Sequence, residues 1–130
     1  MYYCSSESPT TTNQIISRRS SSNIYGPYSN KENITFARLT GKDWWHFGVK
    51  YLNNKYYITA GTCVEGTPGE GDYIYIGVST DGLTFTRKNY PLVRKSAVWD
   101  VKFYMSTICN IGAGLKLYLV IRIILVHQNG

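Results

Sequence analysis

Residues 45–60 read WHFGVKYLNNKYYITA, two runs of alternating apolar and polar positions on either side of an Asn53-Asn54 pair. Alternation with a period of two is the pattern of a half-buried strand, and an Asn-Asn dipeptide tolerates the positive φ of a two-residue hairpin turn. The segment therefore reads as two strands joined by a tight turn. A Gly-rich loop follows, then a strand over 72–80, an Asp81-Gly82 turn, and a fourth strand over 83–88. Four short antiparallel strands in sequence cannot seal both of their own faces from water. The chain is therefore expected to be part of a larger closed structure with further strands, or the remnant of one.

An internal repeat suggests where those strands come from. Residues 24–39 (IYGPYSNKENITFARL) parallel residues 74–88 (IYIGVSTDGLTFTRK). Each copy has an aromatic strand, a Ser-led turn and an alternating T-F-x-R strand. The copies lie about 50 residues apart, a period suited to propeller blades. Each T-F-x-R strand is followed by a connector and a Trp, Trp44-Trp45 in one copy and Trp99 in the other. After Trp99 come two more strand patterns, 101–109 and 115–120, around a turn at 110–114. The expected fold is all-β, a partial β-propeller of about two to two-and-a-half four-stranded antiparallel blades. Its parts are the outer half of one blade, a whole blade and the inner half of a third. Residues 1–23, rich in Ser and Thr, read as a lead-in of loop or disorder with room for short strands. The blades occupy 24–126, and 127–130 form a tail.

The net charge of +6, from 14 Lys and Arg against 8 Asp and Glu, is scattered among Tyr and Asn. No basic run of the kind that tracks a phosphate backbone is present, so nucleic acid is not an expected partner. Cys4, Cys63 and Cys109 are odd in number and far apart, with no CxxC or zinc spacing. The first residues have neither a positive n-region nor an apolar core, so no secretory signal is read and the compartment is left open. The run LKLYLVIRIILV at 115–126 is apolar apart from Lys116 and Arg122. About a dozen residues are too few to span a bilayer. As a strand, this run would present Ile121, Ile123 and Ile124 on an unpaired edge, a route to self-association.

The inner strands resemble those of five-bladed-propeller glycoside hydrolases of family 43. Trp45-His46-Phe47-Gly48-Val49 is similar to the W-A-P-D-V-like opening of their blades. Asn53-Asn54-Lys55-Tyr56-Tyr57-Ile58 is similar to the N-G-K-Y-Y-L-like strand that follows, and residues 76–86 (IGVSTDGLTFT) to their A-x-S-x-D-G-x-x-W outer strands. The turns at 29–36 and 79–85 also resemble the Asp-box of sialidase-like propellers. Their role there is structural: Ser and Asp bond the turn backbone, Gly takes positive φ and the aromatic packs between sheets.

The resemblance implies hydrolysis of polysaccharide glycosidic bonds by three carboxylates at the channel mouth, a base, an acid and a residue that tunes the acid. An inverting pair stands roughly 6.5–9.5 Å apart. Val98-Trp99-Asp100 is similar to the A-I-D-P entry of the third blade, which makes Asp100 the candidate pKa modulator, with Val101 where the family has Pro. Asp43 is the nearest upstream carboxylate, at the entry of the second blade rather than the first. The acid has no counterpart. A lone tuned carboxylate does not perform general acid–base hydrolysis at a useful rate, so the expectation is a glycosidase-type fragment inactive alone. The alternative is a non-catalytic carbohydrate-binding or assembly module. In either case Trp44, Trp45 and Trp99 are candidate sugar platforms and His46 a candidate partner for a sugar hydroxyl. No cofactor is called for; Glu65 and Glu70 in the Gly-rich loop offer two carboxylates to Ca²⁺, on a spacing that fits no known loop.

Overall fold

The computed structural model describes residues 1–5, 15–67, 71, 73–95, 101–111 and 114–123. Every regular element among them is a strand. In chain order these are β1 (Tyr2–Ser5), β2 (Ile15–Arg18), β3 (Glu32–Asn33), β4 (Thr35–Phe36), β5 (Lys42–Leu52), β6 (Lys55–Val64), β7 (Tyr73–Ser79), β8 (Thr84–Arg87), β9 (Val93–Arg94), β10 (Val101–Ile111) and β11 (Gly114–Ile123). The fold is all-β and of partial-propeller form. Among the described residues no helix is long and apolar enough to cross a membrane.

The four-stranded meander is present as β5-β6-β7-β8, antiparallel throughout. Its first turn has Asn53 at φ 50 and Asn54 at φ 59, the two left-handed residues of a type I′ hairpin, whose twist matches that of the flanking strands. β5 begins at Lys42, ahead of Trp45, because Lys42, Asp43 and Trp44 pair with Val64, Cys63 and Thr62. The outermost position of the sheet is divided. β8 pairs with one end of β7, and β9 pairs with the other through Tyr73↔Arg94 and Ile74↔Val93.

One face of this sheet carries the core. Trp44, Ile58, Ala60, Tyr75 and Phe85 pack there with Phe36 from β4 and Ile16 from β2. The covering layer is the three-stranded sheet β1-β2-β3. Tyr2 meets Tyr56 and Phe85 edge to face, each at 6.5 Å. The segment 1–23 therefore contains two strands, β1 and β2, where the sequence reads chiefly as loop. Four-residue strands flanked by Ser and Thr leave little alternation to detect. Ile16, at 4 % exposure, shows what drives β2 onto the sheet.

Against the opposite face lies β10 of the β10-β11 hairpin. β10 lies against β5 and β6. Thr59 Oγ1 donates to Ser106 O at 3.4 Å. Gly48 permits this approach, since a Cβ there would stand 2.9 Å from the same oxygen.

The two T-F-x-R strands are direct neighbours. β4 and β8 run parallel with Thr35↔Thr84 and Phe36↔Phe85 in register. The repeat thus closes the edge of one sheet with its own two copies, rather than placing them in separate blades. The stretch 24–28 is not the aromatic strand that the repeat suggests. It lies in an irregular loop between β2 and β3.

Candidate functional site

Of the candidate residues, Asp43, Trp44, Trp45 and His46 fall together at the start of β5, on the blade's first strand. Trp99, Asp100, Glu70 and the tail 127–130 lie outside the described residues.

Asp43 is 2 % exposed. Its Oδ1 accepts from Arg38 Nη1 at 2.8 Å and its Oδ2 from the backbone N–H of Gly66 at 3.3 Å. Its carbonyl accepts from the Cys63 thiol at 3.7 Å. Burial, and after it the Asp43 carboxylate, push the Cys63 thiol up, so it stays protonated. A carboxylate with both oxygens engaged and no path to solvent cannot activate water on a sugar. Asp43 ties the start of β5 to the loop after β6. It is not a catalytic base.

Trp44 is likewise structural. It is 3 % exposed and stacks on Phe36 with ring centroids 4.5 Å apart and planes 20° apart. It meets Tyr75 edge to face at 6.0 Å and donates from Nε1 to Phe36 O at 2.9 Å. Neither face of the indole is open to a ligand, which removes it from the sugar platforms.

Trp45 and His46 are different. Register shifts between Trp45 and Phe47, leaving His46 as the extra residue of a β-bulge at φ 35. The His46 ring stands edge-on to Trp45, with centroids 5.0 Å apart. Trp45, His46 and Phe47, with Cys4 of β1, line a cavity of about 240 Å³. The surface here is mixed apolar and aromatic, with an imidazole and a thiol as its polar members. Cys4 is exposed as a residue, yet local desolvation raises its thiol, which keeps it neutral. Among the described residues β5 has no strand on its outer side and β1 none on its own, so the cavity opens between two sheet edges. Cys4 and Phe47 were not among the sequence candidates. Nothing in YYCS marks Cys4 as a neighbour of residues some forty positions later.

The turn at Ser79 to Phe85 has the structural role its residues suggest. Asp81 Oδ1 accepts from the Ser79 hydroxyl at 2.7 Å and from the backbone N–H groups of Leu83 and Thr84 at 2.7 and 2.9 Å. Ser79 Oγ accepts from Gly82 N at 2.9 Å, and Gly82 sits at φ 72. The bonds from Thr84, Leu83 and Ser79 hold the Asp81 carboxyl down at about 2. Phe85 enters the core. The turn at 29–36 does not close in this way: it holds the short strands β3 and β4 instead.

Glu65 donates its backbone N–H to Gly41 O at 3.1 Å. Among the described residues no group of three His, Cys, Asp or Glu side chains converges on a common point. No protein-family model, curated protein or solved structure matches the chain.

Proposed function

We propose that this chain is a non-catalytic carbohydrate-binding module of propeller type, with the cavity at the His46 bulge as its sugar contact. The observation that carries the proposal is the placement of Trp45 and His46, edge to face, side by side in the lining of a cavity on the blade's first strand. An indole presents a flat apolar face to pyranose C–H groups, and an imidazole beside it can donate to or accept from a hydroxyl. At about 240 Å³ the cavity is below the range of roughly 300–1,000 Å³ that holds drug-sized ligands, which suits one ring of a glycan rather than an enclosed oligosaccharide. The engagement of Asp43 by Arg38 and Gly66 supports the non-catalytic part of the reading.

The test is a glycan array of arabino-, xylo- and sialo-oligosaccharides, run beside chromogenic substrates of the same sugars. Binding without turnover, lost on Trp45→Ala and retained on Asp100→Asn, is the expected result. Turnover abolished by Asp100→Asn would restore the glycosidase reading, and binding untouched by Trp45→Ala would remove the cavity from it.

A second reading, assembly through strand edges, is favoured by the position of β11. It closes a two-stranded sheet and has no strand on its outer side among the described residues. Concentration-dependent sedimentation, slowed by a Pro in the middle of β11, would support it.

A further inference from the structure

Between β2 and β3 the chain leaves the sheet as a closed loop, residues 20–29, and the loop is fixed by its own bonds. Its neck is tied by Ser29 N to Ser20 O at 2.7 Å and by Ser20 N to Ser29 Oγ at 3.0 Å. Inside, Gly26 N donates to Asn23 O at 2.9 Å, Tyr25 N to Asn23 Oδ1 at 3.0 Å, and Tyr28 Oη to Ile24 O at 2.7 Å. Compact loops with joined ends and internal packing are a common carrier of function. This one displays at its tip two large side chains that the rest of the protein does not cover: Ile24 is 80 % exposed and Tyr25 92 %.

The charge pattern names the surface that such a tip fits. From position 20 to position 30 no residue is charged. Arg19 and Lys31, both exposed, stand at the two sides of the neck. The adjoining acid, Glu32, is held by Arg18 at 3.0 Å. An uncharged tip with an aliphatic and an aromatic residue at the apex, its backbone bonded internally and its base flanked by two cations, matches the interfacial layer of an anionic bilayer. Apolar groups sink below the headgroups, Tyr sits among them, and Lys and Arg meet the negative surface. A protein pocket is the less fitting occupant, because two projecting side chains supply far less than the roughly 800 Å² that each partner gives a stable interface. We infer that residues 20–29 form a preformed docking loop for anionic membrane surfaces, with Ile24 and Tyr25 entering the interface and Arg19 and Lys31 holding the headgroups. This mode of attachment lies on the membrane and spans nothing. It is independent of the sugar cavity.

Flotation of the whole chain with vesicles of phosphatidylcholine alone, and of phosphatidylcholine with phosphatidylserine, tests the inference. The protein is expected to float with the phosphatidylserine vesicles and to be released by salt. Ile24→Ser with Tyr25→Ser should weaken that partition at least about tenfold. It should leave the thermal midpoint unchanged, since these side chains carry no packing. Lys31→Glu should weaken partition without touching the tip. Failure to float with phosphatidylserine vesicles would overturn the inference and leave the loop as a protein contact. Flotation that the tip substitutions leave unchanged would overturn it as well, by reducing the effect to the +6 charge of the chain.

Discussion

Replacing Trp44 by Ala should strongly destabilise this protein, because its indole belongs to the core. At 3 % exposure the indole is removed from water almost completely, and its stack on Phe36 and its bond to Phe36 O go with it. Trp→Ala at a closed core site costs about 3–5 kcal/mol. For 130 residues, an unfolding entropy of about 2.1 cal/mol/K per residue amounts to about 0.27 kcal/mol per kelvin. The midpoint should then fall by about 11–18 °C. Trp44→Phe keeps the stack but leaves Phe36 O without its donor, at about 1–3 kcal/mol. Trp45→Ala, at a half-buried site on the other face of the strand, should cost less than about 2 kcal/mol. Urea unfolding followed by far-UV circular dichroism separates the three variants, provided the slope with denaturant is unchanged. If Trp44→Ala cost less than about 1 kcal/mol, or less than Trp45→Ala, the division of the two tryptophans between core and cavity would be refuted.

Three further outcomes follow from named contacts. Arg38→Ala should destabilise by roughly 3 kcal/mol, more than Asp43→Ala, although Arg38 is the more exposed partner: it strands a buried carboxylate, whereas Asp43→Ala leaves a guanidinium that water can reach; urea unfolding of both singles and the double variant checks the order. The Asp81 carboxyl lies below its unfolded value of 3.8, at about 2, so its contribution is present above the upper value and lost as pH falls through the lower. Thermal midpoints measured across that window should fall with acid in the parent and fall less in Asp81→Asn. Deleting His46 should keep the fold and abolish glycan binding, as read by a retained thermal midpoint and a blank array.

Much of the blade was legible because its signals are local. Asn53-Asn54 requires a hairpin, and Ser79, Asp81 and Gly82 supply between them the acceptor, the anion and the left-handed residue of their turn. The alternation of Tyr56, Ile58 and Ala60 against Tyr57, Thr59 and Gly61 assigns both faces of β6. What was not legible depends on long-range choices. Thr35-Phe36 and Thr84-Phe85 have the same pattern whether they sit in separate blades or side by side, and only the packing of Phe36 on Trp44 decides for a shared sheet. Ile24 and Tyr25 are apolar and aromatic, which suggests a strand, but the bonds that Tyr25 N and Gly26 N donate to Asn23 and the Ser20–Ser29 tie favour a loop. The roles of Asp43 and Trp44 were hidden for a similar reason: the salt bridge to Arg38 and the indole bond to Phe36 depend on how the connector between β4 and β5 turns back, which the residue pattern does not fix.

The bulge at His46 explains why core and candidate site share one short stretch of strand. Strict alternation from Trp44 would put Phe47 on the opposite face, yet Trp44 belongs to the core and Phe47 packs against it. One extra residue reconciles them. Trp45 pairs with Gly61 and Phe47 with Ala60, so everything beyond the bulge keeps its face while His46 is left outside the ladder. The residue is held at positive φ, a conformation that costs a non-Gly side chain free energy and that the flanking pairs must impose. Its removal should leave both neighbouring pairs intact and relieve that backbone strain. The bulge also sets Trp45 and the imidazole edge to face, 5.0 Å apart, at an edge that no other strand covers among the described residues. A residue held at positive φ that also lines the cavity is the local feature on which the proposed sugar contact rests.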